Sequence, residues 1–391
     1  MIVKEKVRQK IMKINLRYAL VAAVLFMLPQ CLTAQTDDMR RRELRLGIML
    51  PLHDDNGDGR RMVEYYRGVL MACDSLRHIG ISVNVKAVNC AEDADVATLL
   101  NKNKMADRDV IIGPLYSKQM NIMSRFSENN DIKLFIPFSI ETSELFKNRN
   151  IFQVYQNAND MNESTIRCFL QRFKGYHTVI IDCNDTTSRK GVFTYALRKR
   201  MDSMSYTYNI TNVNASEAVF AKAFSTSKPN VVILNTGRSP QLNVVFAKLN
   251  GLATTSPDLK ISMFGYTEWM MYTQSALDNF YKFNVYIPAT FFYNPLSSRT
   301  QRIETKYRWN FHQDMQQALP RFAITGFDHA CWLLQGLHMY GEAFQGAAGT
   351  TGYTPTQTPL RFERVGNGGL QNKSMMFVHY TPEHRVETIN F

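Results

Sequence analysis

Short, unbroken apolar runs recur along this chain, each ended by a glycine, proline or polar turn and followed by a longer stretch of helical periodicity. Residues 44–50 form the first run and stop at Pro51. Residues 62–78 then place Val63, Tyr66, Leu70, Cys73 and Leu76 at helical spacing, and 81–88 is the next strand. Val110, Ile111 and Ile112 are β-branched and consecutive, the pattern of a parallel strand buried on both faces. Gly113-Pro114 ends that strand, Ser117 is placed to cap the helix over 118–128, and residues 134–136 make the following strand before Pro137. A second run of alternation covers strands at 178–182, 206–210, 230–234 and 260–264, with helices at 191–203, 216–225 and 240–249 between them. After it the pattern changes. Helices are expected at 299–317 and 327–343, a Gly/Thr/Pro linker at 346–359, and a terminal hairpin at 377–380 and 386–389. Two successive α/β units, each a parallel sheet covered by helices, account for this order. In such sheets the loops at the carboxyl ends of the strands form the ligand crevice.

The first 34 residues read as a secretory signal peptide. Six basic residues lie within 1–17, an uncharged apolar run follows over 18–28, and Leu32-Thr33-Ala34 offers small residues before Gln35. The run is too short to span a bilayer. The expected localisation is therefore periplasmic. Lipidation at Cys31 is the competing reading, which Pro29 and Gln30 fit poorly because small residues are expected there. The remainder is a soluble globular chain long enough for two domains. Removing the leader, with its six basic residues and one acid, lowers the formal charge from +12 to +7. That charge is scattered and lacks a basic patch with stacking aromatics, so nucleic acid is not an expected partner. Of the five remaining cysteines, Cys73 and Cys90 are the pair expected as a possible disulfide, and none lies in a C-x-x-C pair.

Candidate chemistry is sparse. Asp54-Asp55-Asn56-Gly57-Asp58-Gly59 begins like a calcium loop, but the twelfth position, which needs a bidentate acid, is Tyr65. The eight histidines show no H-x-x-x-H spacing, and there is no G-x-S-x-G elbow or phosphate loop. No catalytic residue, metal or cofactor is expected, and the chain is read as non-enzymatic.

Four elements resemble type 1 periplasmic binding proteins, the fold of leucine/isoleucine/valine-binding proteins and of receptor ligand-binding regions. They are Tyr66-Arg67-Gly68-Val69-Leu70-Met71-Ala72 on the first helix, Ile112-Gly113-Pro114-Leu115-Tyr116-Ser117, the stretch from Pro137-Phe138-Ser139 to Phe152-Gln153, and the late Gly326-Phe327-Asp328 helix. Leu46-Gly47-Ile48-Met49-Leu50-Pro51 and the Gly368-Gly369 tail look most like Bacteroidetes versions of the family. The resemblance implies α/β architecture, periplasmic-binding-protein-like I: two Rossmann-like lobes with parallel sheets, joined by three crossovers. Residues 44–155 plus 291–350 would form the first lobe and 156–290 plus 351–391 the second. The crossovers would fall near 153–158, 287–290 and 349–359.

By the same resemblance a ligand is trapped between the lobes. The family's hydroxyl after the G-P-x-x-S turn matches Ser117, beside Tyr116. Its threonine is replaced by Ile140, which leaves Ser139 or Thr142 for that role. Asp185 lies in the expected second-lobe loop. Glu268 is the candidate for an ammonium group, with Tyr266 and Trp269 as aromatic walls that could equally pack the lobe. The expected function is capture of a small polar ligand, amino-acid-like or peptide-like, by hinge closure, with transfer to an ABC transporter permease. The alternative is an envelope scaffold or regulator of peptidoglycan synthesis that binds cell-envelope proteins with the same fold.

Overall fold

A computed structural model describes residues 43–138, 141–347 and 351–391. The expected signal peptide, Cys31 and Ser139 lie outside the described residues. The first sheet contains β1 (Leu44–Leu50), β2 (Val83–Asn89), β3 (Val110–Ile112), β4 (Lys133–Ile136) and β5 (Ile151–Gln153). Helices α1 (Gly57–Arg77), α2 (Val96–Lys102) and α3 (Met120–Asn129) connect them. The second sheet contains β6 (His177–Asp182), β7 (Tyr208–Asn212), β8 (Asn230–Leu234), β9 (Ile261–Phe264) and β10 (Val285–Ala289). Its helices are α4 (Ala158–Arg172), α5 (Lys190–Ser203), α6 (Glu217–Ala221), α7 (Ser239–Thr255) and α8 (Thr273–Lys282). Helices α9 (Ser298–Phe311) and α10 (Phe322–Tyr340) follow, and then β11 (Phe362–Arg364), β12 (Leu370–Asn372), β13 (Met376–Tyr380) and β14 (Val386–Asn390).

The two sheets repeat one topology. The orders are β11-β12-β5-β4-β3-β1-β2 and β14-β13-β10-β9-β8-β6-β7. Strands β1 to β5 are mutually parallel, as are β6 to β10, so each half has a switch point beside its first strand: between β1 and β3, and between β6 and β8. Burial on both faces explains the continuous apolar composition of β3 and β8, all of whose residues are buried.

Residues 351–391 divide between the sheets, which corrects their assignment to the second lobe. β12 runs parallel to β5 and β11 pairs antiparallel with β12, completing the first sheet. Only β13 and β14 join the second: β13 runs antiparallel to β10, and β14 pairs antiparallel with β13 at the sheet edge. The third crossover is therefore 373–375 rather than 349–359. The first lies at 154–157 and the second at 290–297. Open hydrogen-bonding groups on the edge of β5 recruit β12, a pairing that three-residue strands do not announce by periodicity. Across this hinge the Asp160 carboxylate accepts from Gln371 Nε2 at 2.9 Å and pairs with Lys373 Nζ at 3.0 Å.

Helix α10 packs on α1 over the first sheet, in one core with Tyr65, Val69, Ala72, Trp332 and Leu333. The helix glycines allow this. A Cβ on Gly68 would lie 1.9 Å from the Ala323 carbonyl oxygen, and one on Gly326 would lie 2.1 Å from that of Tyr65. The buried face of α1 therefore centres on Tyr65, Val69, Ala72 and Leu76, sharing Leu76 with the expected stripe but falling one residue before Tyr66, Leu70 and Cys73, because the sheet and α10 cover it together. No helix among the described residues is long and apolar enough to cross a membrane. The five cysteines of the described residues are free thiols. Cys73 and Cys90 cannot pair, because Cys73 packs against the α1–α10 core and Cys90 belongs to the separate cluster with α2 and α3.

His329 on α10 is fully buried, with Nδ1 at 3.0 Å from the Tyr65 hydroxyl. Burial holds its pKa down, at about 3 against an ordinary 6.5. The unfolded chain takes up this proton below pH 6.5 and the folded chain does not, so the stability contribution is lost as pH falls through that window. From pH 7 to 5 the loss from this residue is about 2 kcal/mol. Urea unfolding of wild type and His329→Gln at both pH values checks this. The variant is expected to show a flatter decline, and parallel curves would refute the assignment.

Candidate functional site

The strand-end loops of the first lobe are held by local caps. Asn56 Oδ1 accepts from Gly59 N at 2.8 Å and starts α1, and Asn89 Oδ1 accepts from Leu52 N at 2.9 Å. The Asp54–Gly59 loop is thus a helix entry, and no metal-ligating cluster occurs among the described residues. Ser117 is exposed and opens a single 3-10 turn after the Gly113-Pro114 bend. Tyr116 precedes it, half-buried, its pKa raised by burial and then by the nearby charges of Asp58 and Glu92. Thr142 turns toward its own backbone, where its hydroxyl accepts from Glu144 N at 3.2 Å.

The second-lobe switch point is closed by its own side chains. Asp185 accepts from Thr187 N at 3.0 Å, from Thr187 Oγ1 at 2.7 Å and from Thr236 Oγ1 at 2.7 Å. The Thr187 hydroxyl bond, then that of Thr236, holds the Asp185 pKa below its ordinary value. Asn235 adds Nδ2 to Asp182 at 2.9 Å and receives Cys183 N at 2.9 Å. Asp185 is consumed in shaping this loop.

The open chemistry lies beside it. Lys190, the first residue of α5, places Nζ 2.6 Å from Glu268 Oε1 and 4.8 Å from the centroid of the Tyr266 ring. Both charged side chains remain partly exposed, 31% for Lys190 and 40% for Glu268. Glu268 Oε2 is shielded and has no hydrogen-bond partner. Gly237 leaves room there, since a Cβ on it would sit 3.5 Å from both Glu268 Cδ and Lys190 Cε. Lys190, Tyr266 and Thr267 line a concavity of about 110 Å³, with Met161, Pro288 and Met375 on its other walls.

Tyr266 thus offers its ring to the Lys190 ammonium and spends its hydroxyl on the Leu234 carbonyl. Burial and then Glu268 drive its pKa upward. Trp269 does not wall the cleft. It is fully buried in the second core and packs against Phe280 and Tyr266, because the 3-10 turn Thr267–Tyr272 turns its ring inward. Lys190 was missed by sequence reasoning. It is 78 positions from Glu268, and no local pattern marks such a pair.

No protein-family model and no curated protein matches this chain. Solved structures do. A protein assigned to a branched-chain amino acid ABC transporter from Rhodospirillum rubrum aligns over 89% of this chain and 100% of its own, at 13% identity and a TM-score of 0.55. Full-length LpoA from Haemophilus influenzae aligns over 89% of this chain at 16% identity and a TM-score of 0.50, and the match spans 59% of LpoA. These likenesses establish the fold, that of type I periplasmic binding proteins.

Proposed function

We propose that this chain is an exported, non-enzymatic binding protein that captures a small zwitterion, an amino acid or short peptide, between its lobes. The observation that carries this reading is the Lys190–Glu268 pair, half-exposed at the strand ends, with one carboxylate oxygen unsatisfied. A ligand carboxylate replaces Glu268 on Lys190, and the released Glu268 carboxylate turns to the ligand ammonium. The second-lobe concavity is below the roughly 300–1,000 Å³ of a complete small-molecule pocket. The first lobe supplies the remaining wall, with the exposed Ser117 hydroxyl as its donor. Closure is favoured only by contacts a ligand makes better in the closed form. Transfer to an ABC transporter permease is the use this reading implies.

Calorimetric titration with the standard amino acids and with di- and tripeptides tests the reading. Glu268→Gln and Lys190→Met are each expected to weaken binding by about thirtyfold, the loss of one charge-assisted contact in a closed cleft. The unliganded melting temperature should change little, because the pair is half-exposed. Variants that bind as wild type would overturn the site.

A second reading has its own support. The closed switch point and the inward Trp269 leave the second lobe few groups for a ligand, which suits an envelope scaffold or regulator that binds proteins. Failure of every amino acid and peptide to bind, with retained binding to a cell-envelope protein, would favour it.

A further inference from the structure

An open groove of about 370 Å³ lies on the outer side of the first lobe, between α1, α9 and α10. Its floor is apolar, built from Leu76, Ile303 and Phe327. Ile79, 63% exposed, extends this surface to the mouth. The rim is cationic. Arg299 and Arg302 are three residues apart on α9 and therefore share one face of the helix.

The neighbouring cation is already neutralised: Lys306 Nζ lies 2.8 Å from Asp74 Oδ2 and 2.9 Å from Ser75 Oγ. The two arginines are not. Arg299 stacks over the Tyr353 ring at 4.8 Å, and neither it nor Arg302 has a hydrogen bond or ion pair with any described residue. An apolar trough with two unpaired guanidinium groups at its edge is complementary in charge and polarity to one kind of occupant.

We propose that this groove binds an amphipathic anion, with a phosphate or carboxylate head on Arg299 and Arg302 and an alkyl body along Leu76, Ile303 and Phe327. Guanidinium groups hold such oxyanions by paired, charge-assisted hydrogen bonds, and the floor takes the chain out of water. The site is separate from the inter-lobe cleft, so it does not depend on the ligand captured there.

Calorimetric titration of the purified protein with dodecyl phosphate below its micelle concentration tests the proposal, with inorganic phosphate and dodecyl maltoside as controls. Dodecyl phosphate is expected to bind, with either control at least about tenfold weaker. The double variant Arg299→Gln/Arg302→Gln should lose about tenfold in affinity, while Arg299→Lys/Arg302→Lys, which keeps the charge but not the paired hydrogen bonds, should fall between it and wild type. Melting curves of both variants establish that they fold. Phosphatidylglycerol vesicles distinguish the source: vesicle binding lost in the glutamine variant identifies a membrane lipid, and binding of the monomer alone identifies a free amphiphile. Equal binding of dodecyl maltoside, or unchanged binding by the glutamine variant, would overturn the proposal.

Discussion

Gly326→Ala is expected to destabilise the protein by about 3 kcal/mol or more, measured by urea unfolding. The position lies in the second turn of α10, inside the helix, where alanine would by propensity alone add about 1 kcal/mol of stability. The two contributions have opposite signs, so the experiment decides which one wins. The added methyl would lie 2.1 Å from the Tyr65 carbonyl oxygen and 2.9 Å from its carbon. Both are backbone atoms of α1, and no rotamer change relieves the contact. The helices must separate, which opens the core around Tyr65, Trp332 and Leu333. Gly68→Ala makes the reciprocal contact with Ala323 and should behave alike. A neutral or stabilising result at either position would mean that the helices do not meet through these glycines.

Asp328→Asn should cost on the order of 3 kcal/mol, with Asp328→Ala costing more. This carboxylate is fully buried and accepts from Tyr353 Oη, Thr356 N and Gln357 N, each at 2.7 Å, and from Thr358 N at 3.2 Å. Burial raises its pKa, and the four donors work against that rise. Asparagine preserves the shape but turns an –NH2 toward groups that are themselves donors. The consequence reaches the hinge. Residues 353–358 are held on α10 by Asp328, and the Gln357 carbonyl accepts from Phe292 N in the second crossover at 3.0 Å. Hydrogen exchange at Thr356, Gln357 and Thr358 should therefore accelerate in either variant together with the loss of stability. Unchanged protection at these amides would show that the carboxylate does not hold the segment.

How much of this was legible beforehand depended on whether the physical cause was local. The apolar run Val110–Ile112, its stop at Gly113 and the parallel alternation through both units are set by burial on both faces and by turn chemistry, which neighbouring residues encode. The late helices at 298–311 and 322–340 were likewise visible from periodicity, although the expected end at 317 and start at 327 were off by more than a turn. Strands β11 and β12 were not. Three residues carry no measurable alternation, and these segments become strands only because β5 presents an open edge.

The site divides in the same way. Sequence alone was enough to mark Glu268 as an acid after a second-lobe strand and Ser117 as a hydroxyl after the Gly-Pro turn. Tertiary structure decided that Lys190 meets Glu268, that Asp185 closes its own loop, and that the Trp269 ring turns into the core. A strand or a cap depends on residues a few positions away, whose order is the sequence itself. A charge pair or the direction of a ring depends on which distant segments the fold brings together, and no local pattern records that.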